Sequence, residues 1–181
     1  MVRVPRITER SQVADEHGEI FDSITSSRGR VSGPFSVLLN SPETAGRAAH
    51  LGAYLRFNST IPDDQRELAI ITAAREFDCD YEWSAHKGLA QQAGVRDEAI
   101  EIVANKGTVD SLTSEEATII SYGRELFQDH RVSDSTFDAA KEMLGEQGVT
   151  ELTATMGYYG MLACALNAFQ VEPAPDAPRL P

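Results

Sequence analysis

The chain has 181 residues, of which 41% are apolar, so it can bury one substantial hydrophobic core as a single domain with short extensions. A formal net charge of -12 argues against non-specific binding to nucleic acid and against docking on anionic lipid, although a pocket can still gather arginines around an anionic small molecule. No apolar run suggests a membrane span or a secretion signal, and two distant cysteines suit a reducing compartment, so we expect a cytoplasmic protein.

Apolar residues recur at helical intervals along the whole chain, and no alternating strand pattern is found. The first stripe, from Val13 to Ile24, predicts a helix over roughly 9–26, and a buried connector follows at 37–39. Later helices are expected to begin near residues 42, 63, 80, 97, 114, 134 and 150. The sequence therefore predicts an all-α bundle of about six to eight helices.

Several of these helix starts carry capping signals. Ser41 precedes a proline at the first turn, and Thr113 stands three residues before Glu116, which is the spacing of a capping box. Gly94 supplies the left-handed cap that would end the helix over 80–93.

The helices suggest three parts: an N-terminal helical arm over 1–30, a helical domain over 31–171, and a proline-rich tail over 172–181. We expect the tail to be extended or disordered, or to lie on a neighbouring molecule. The last helix carries little charge over 152–171, which indicates either a central helix or an oligomer interface.

Chemistry-bearing side chains concentrate in the pattern Glu67-x11-Cys79-x2-Glu82-x3-His86. If the segment is helical, Cys79, Glu82 and His86 share one face, where a thiol, an acid and an imidazole can pass a proton or activate a nucleophile. His86 is a candidate general acid or base, and Glu82, one turn away, is a hydrogen-bond partner that could orient it. Glu67 on the preceding helix could be a salt-bridge partner of Arg66 or Arg75. A helix start would favour the Cys79 thiolate, although cysteine is also a common small core residue.

The residues around this cluster suggest how a substrate could be held. Trp83 could wall a pocket, Tyr54 and Tyr81 could line it, and a substrate carboxylate would need a cation. The candidate cations are Arg56, Arg66 and Arg75.

A metal site is the weaker interpretation of the same residues. Glu82 and His86 stand at i,i+4, and Glu67 or Cys79 could be a third ligand, but there is no second histidine pair and no cysteine pair. We therefore expect no metal and no cofactor.

The spacing resembles the motif of the carboxymuconolactone decarboxylase and alkylhydroperoxidase D superfamily, with Glu82 in place of the second cysteine of the peroxidase branch. The flanking sequence is similar to the decarboxylase-like branch over roughly 30–172. The matching stretches are Gly33-Pro34-Phe35, Leu38-Leu39-x-Ser41-Pro42, Arg66-Glu67-Leu68-Ala69-Ile70, Tyr81-Glu82-Trp83-Ser84-Ala85-His86, Leu89-Ala90-x-x-Ala93-Gly94-Val95, Tyr158-Tyr159 and Leu166-Asn167-Ala168-Phe169.

The resemblance implies an alkylhydroperoxidase D-like helical fold assembled as a homotrimer or homohexamer, with Glu67, Cys79 and His86 at the proton-relay positions of the family. The only other cysteine, Cys164, is expected to lie in the core, so an oxidised Cys79 would lack a resolving thiol. Two-cysteine peroxidase chemistry is therefore not expected.

The leading hypothesis is a decarboxylase-like lyase that performs cofactor-free acid–base chemistry on a small, carboxylated or enolisable ring compound, of the kind met in aromatic-compound catabolism. The reaction would be decarboxylation, isomerisation or a related lyase step. Two alternatives stay open: a thiol-dependent hydroperoxidase or reductase that uses Cys79 with an external thiol, and a non-catalytic helical oligomer that binds a small molecule.

Overall fold

A computed structural model describes residues 2–181, which form eight α-helices and no strand. The helices are α1 (Gly18–Arg28), α2 (Gly33–Leu38), α3 (Pro42–Phe57), α4 (Asp63–Glu76), α5 (Asp80–Ala93), α6 (Asp97–Ala104), α7 (Ser114–Arg124) and α8 (Asp134–Phe169). Two short 3-10 turns precede α1, and a π-helical turn, Glu125–Asp129, extends α7. The prediction of an all-α fold is confirmed.

The capping signals in the sequence mark real helix ends. Thr113 accepts a hydrogen bond from the backbone N–H of Glu116, and the Glu116 carboxylate accepts one from the backbone N–H of Thr113, which completes the capping box of α7. Gly94 ends α5 with a φ of 100°, a left-handed conformation that glycine adopts without steric cost.

Helix α4 forms the centre of the molecule and packs against α5, α7 and α8. Every residue from 66 to 74 is buried, so this helix has no solvent face in its middle and shows no simple amphipathic stripe. Two of these buried residues are charged, Arg66 and Glu67. The two terminal nitrogens of Arg66 are paired locally, because they donate to the Asp63 carboxylate and to the backbone carbonyl of Ile61, whereas its Nε has no partner among the described residues.

The predicted N-terminal helix over 9–26 is wrong in its first half. Residues 10–12 and 15–17 form separate 3-10 turns, and Val13 between them is extended. The apolar stripe is real, since Val13, Phe21 and Ile24 are all buried, but a bent chain brings them together. The buried connector expected at 37–39 is instead the end of α2, which Pro34 opens at its first turn.

The two helices expected from 134 and from 150 are joined into α8, which spans 36 residues. The helical backbone is interrupted only at Gly145, where φ is 71° and ψ is 179°. The half of α8 after this break carries buried residues against α4, α2 and α3, which agrees with the expectation of a central helix.

The C-terminal tail returns to the start of α5. The Arg179 guanidinium lies 3.0 Å from the Asp80 carboxylate, and the backbone N–H of Leu180 donates to the same side chain at 2.9 Å. The division into an arm, a domain and a tail stays a prediction. None of the helices within 2–181 combines the length and the apolar character that crossing a membrane requires.

Candidate active site

Helices α4 and α5 place a carboxylate and an imidazole in direct contact. Glu67 belongs to the buried stretch of α4 and His86 to the inner face of α5, and their side chains are 5% and 4% exposed. The Nδ1 atom of His86 lies 2.7 Å from Oε2 of Glu67, a distance typical of a hydrogen bond to a charged group. This contact fixes the ring and directs Nε2 away from α4.

Glu82 lies one helical turn before His86, on the other side of the imidazole. Its Oε2 atom is 3.6 Å from Nε2 of His86, and its Oε1 atom is buried without a hydrogen-bond partner among the described residues. Burial raises the pKa of this carboxyl, against the opposing charges of His86 and Arg56. The proton of Glu82 is therefore held more firmly than that of a carboxyl in water.

Glu82 and His86 both open onto a cavity of about 380 Å³. It is lined by the end of α1, the α1–α2 connection and the start of α2, together with α3, the first turns of α5 and the middle of α8. The lining residues are Arg28, Arg30, Ser32, Gly33, Pro34, Phe35, Gly52, Arg56, Tyr81, Glu82, Ala85, His86, Tyr158, Tyr159 and Leu162. A volume of this size suits a small ring compound.

Two tyrosines of α8 form the inner wall of the cavity. The Tyr159 ring meets the His86 ring edge to face, with centroids 5.0 Å apart, and burial raises the pKa of the Tyr159 hydroxyl. Burial also raises the pKa of Tyr158, to about 12, so both phenols keep their protons. Gly52 makes room for Tyr158, because a Cβ atom at position 52 would lie 2.1 Å from the Tyr158 hydroxyl.

The cavity collects three arginines, and only one of them is among the predicted substrate-binding residues. Arg56 lines the cavity as expected, whereas Arg66 is held by Asp63, and Arg75 donates to the carbonyl of Ala104. Arg28 and Arg30 complete the group. No motif in the sequence indicated these two as site residues, although Arg28-Gly29-Arg30 stands out as two cations around a glycine at the end of α1.

Cys79 lies outside the cavity lining. It is fully buried at the N-cap of α5 and packs with Val37, Ala163 and Leu166. Burial raises the pKa of its thiol to about 11, which corrects the expectation that the helix start would favour the thiolate. Cys164, expected in the core, is exposed, and both cysteines are free.

The remaining predicted site residues divide between the cavity and other places. Tyr81 lines the cavity, and burial raises the pKa of its hydroxyl. Trp83 is 1% exposed and packs in the core beside α4, behind the cavity wall. Tyr54 faces a different surface, where its hydroxyl donates to Glu151.

The two carboxylates occupy different places around His86. Glu67 makes the close contact with the imidazole and does not line the cavity, whereas Glu82 lines the cavity and has a buried oxygen, Oε1, without a hydrogen-bond partner among the described residues. The predicted roles, Glu82 as the orienting partner and Glu67 as a relay, stay predictions. The arrangement can fix one tautomer of His86 and offer a guest both an imidazole nitrogen and a carboxyl group. No three potential ligands within 2–181 are grouped to hold a metal ion.

Comparison with known proteins shows which family part of the chain matches and which solved structures share its fold. Residues 42–124 match the carboxymuconolactone decarboxylase family. The structure is also similar to an alkylhydroperoxidase AhpD core, an uncharacterized peroxidase-related protein from Ralstonia eutropha JMP134, with a TM-score of 0.76 and 16% identity over 97% of this chain and 93% of that chain. Residues 42–124 are thus similar to the carboxymuconolactone decarboxylase family, and the chain as a whole has the fold of an alkylhydroperoxidase AhpD core.

Other proteins of known structure share the fold at a similar level of sequence identity. The debrominase Bmp8 gives a TM-score of 0.74 and 16% identity over 95% of this chain and 93% of that chain. A cysteine-to-alanine variant of Bmp8, in complex with 2,3,4-tribromopyrrole, gives 0.73 and 15% over 94% and 91%. No curated protein matches the sequence. At these identities, the likeness to solved structures establishes the fold of this chain and leaves its reaction open.

Proposed function

We propose that this protein is an enzyme that performs cofactor-free acid–base chemistry on a small, carboxylated or enolisable ring compound. The observation that carries the proposal is the line Glu67–His86–Glu82, in which His86 and Glu82 line the cavity and Glu67 lies behind His86. Two carboxyl groups flank one imidazole, and their surroundings differ: Glu67 is hydrogen-bonded, and Glu82 is buried with a free oxygen. Different surroundings for neighbouring titratable groups are typical of acid–base pairs.

The geometry supports a role for each group. Glu67 accepts the Nδ1–H of His86, so Nε2 is left as the basic atom beside the cavity. Nε2 can take a proton from the carbon next to a carbonyl, and the Glu82 carboxyl can deliver a proton to the other end of the enol system. In a decarboxylation, the C–C bond electrons pass into the conjugated carbonyl, carbon dioxide leaves, and the carbon takes its proton from Glu82, or from His86 when Nε2 has first been protonated.

The cavity also fits the class of guest. Tyr158 and Tyr159 provide a rigid aromatic wall, and the arginines provide charge for a carboxylate, in a chain that is otherwise strongly acidic. The expected homotrimer or homohexamer stays a prediction, which light scattering of the purified protein can check.

The proposal predicts that the relay is needed for turnover and that the thiol is not. We expect His86→Gln and Glu82→Gln each to lower kcat by about 10²–10⁴-fold, the usual contribution of a positioned acid or base. Glu67→Gln should also lower kcat, because the amide would no longer fix the same tautomer. The measurement is steady-state turnover of a panel of carboxylated lactones and enolisable ring acids, with pH–rate profiles.

Cys79→Ser is the control that separates this proposal from thiol redox chemistry. A buried thiol with a pKa of about 11 is protonated at neutral pH and is a poor nucleophile toward peroxides. We therefore expect Cys79→Ser to retain most of the turnover, and the wild type to consume hydroperoxides slowly even with an external dithiol. Rapid peroxide reduction that depends on Cys79 would replace our proposal with a peroxidase.

A further inference from the structure

The arginines of the cavity come from different segments of the chain. Arg30 belongs to the connection between α1 and α2, and Arg56 to the last turn of α3. Arg30 lies before the region that matches the family, so the N-terminal segment adds its own charge to the candidate site. Their placement brings positive charge to the cavity that the motif Glu67–His86 does not contain.

These two arginines are also available to a guest. Neither forms an ion pair within residues 2–181, whereas Arg66, Arg75 and Arg96 are each held by a carboxylate of the chain. The Arg56 guanidinium only stacks on Phe57, at 5.4 Å from the ring centroid. Arg28 is less free, since it donates to the carbonyl of Ala49 and lies over the Phe35 ring.

An unsatisfied polar atom points independently to a ligand in the same cavity. Glu82 lines the cavity and is 3% exposed, and its Oε1 atom has no hydrogen-bond partner among the described residues. Buried polar atoms are normally paired, so a guest with a hydrogen-bonding group would complete this one. The arginines and this oxygen together indicate a guest with one charged end and one neutral, polar end.

We propose that Arg30 and Arg56 bind a carboxylate of the substrate that takes no part in the reaction, while the ring extends inward to Tyr158 and Glu82. The inference rests on the proposed function, because it assigns specificity to the same cavity. Arg30 and Arg56 are thus specificity-determining residues, and their attraction for the remote anion holds the reacting carbon beside His86 and Glu82.

The test is the binding of two probes of equal shape, benzoate and the neutral benzamide, measured by isothermal titration calorimetry. We expect benzoate to bind more tightly than benzamide. Arg30→Gln and Arg56→Gln should each weaken benzoate binding about tenfold, which is the effect of losing one charge-assisted hydrogen bond. Benzamide binding should change little in either variant.

Arg47→Gln is the matched control, because Arg47 is on α3 like Arg56 but is exposed, pairs with Glu43 and lies outside this cavity. It should leave both affinities unchanged. Equal binding of the two probes, absence of benzoate binding, or the same benzoate affinity in Arg30→Gln and the wild type would overturn the inference. The assay involves no turnover, so a failure of the acid–base proposal would show separately, as unaffected catalysis in His86→Gln.

Discussion

The carboxyl of Glu82 should affect the pH dependence of stability as well as the reaction. Burial raises its pKa in the folded protein, so the folded state holds this proton at pH values where the unfolded chain has released it. Stability therefore falls as pH rises from the unfolded value of about 4.3 through the raised folded value. The Glu82→Gln variant has no ionisable group at this position, so its stability should not show this decrease with rising pH.

Urea unfolding of the wild type and Glu82→Gln over a pH series measures the difference. The stability of the variant relative to the wild type should increase as the pH rises through this window and then become constant. A constant difference at every pH would show that Glu82 titrates as it does in the unfolded chain, and the assignment of Glu82 as a firmly protonated acid would be wrong.

At the residue scale, the sequence predicted what helix spacing controls and missed what only tertiary contact reveals. Glu82 and His86 could be paired in advance because they stand four residues apart on one helix. Glu67 could be included from the motif, but its direct contact with Nδ1 depends on how α4 packs against α5. Arg30 reaches the same cavity only through the path of the α1–α2 connection, which no local pattern describes.

At the scale of the element, helix α8 is unusual because Gly145 interrupts its helical backbone without ending the helix. Gly145 has a φ of 71° and a ψ of 179°, a region that only glycine occupies at low cost. The space around it is open, so a methyl group at this position would meet backbone strain alone. We expect Gly145→Ala to lower the free energy of unfolding by about 1–3 kcal/mol.

Gly157, on the same helix, supplies the opposite control. It is exposed, has ordinary helical backbone angles and open space around its Cα, so Gly157→Ala should raise stability by about 0.5–1 kcal/mol. Urea denaturation of both variants tests the pair. Equal effects of the two substitutions would contradict the assignment of a special conformation at Gly145.

The same element shows why helix starts were easier to predict than helix continuity. Caps such as Thr113 with Glu116 are local hydrogen bonds, and the sequence displays them directly. The join at Gly145 depends on the second half of α8 being held against α4, so two predicted helices became one interrupted helix. The bent start of the chain before α1 has a similar origin, since buried contacts rather than a helix align Val13 with Phe21.

At the scale of the whole molecule, one buried carboxylate ties together segments that are distant in sequence. Glu151 of α8 accepts hydrogen bonds from Tyr54 on α3, from the backbone and hydroxyl of Thr60 in the α3–α4 connection, and from Gln147. No sequence pattern indicates this cluster, because Tyr54 and Thr60 lie 97 and 91 residues before Glu151. Burial alone would raise the pKa of Glu151, but these hydrogen bonds outweigh it and hold the pKa at about 2.

This carboxylate should govern the acid stability of the protein. Between the folded pKa of about 2 and the unfolded value of about 4.3, the unfolded chain binds the proton and the folded protein does not, so stability falls as pH decreases through that window. Glu151→Gln should cost about 2 kcal/mol at neutral pH, since the amide NH₂ faces donors it cannot accept from, and should flatten the acid side of the stability curve. Glu142→Gln, an exposed acid of the same helix, is the control and should change neither. Urea unfolding between pH 2 and 7 measures the free energy of unfolding of the wild type and the variants as a function of pH. Parallel curves for the wild type and Glu151→Gln would refute the assignment of acid sensitivity to Glu151, because that sensitivity would then arise from other carboxyl groups.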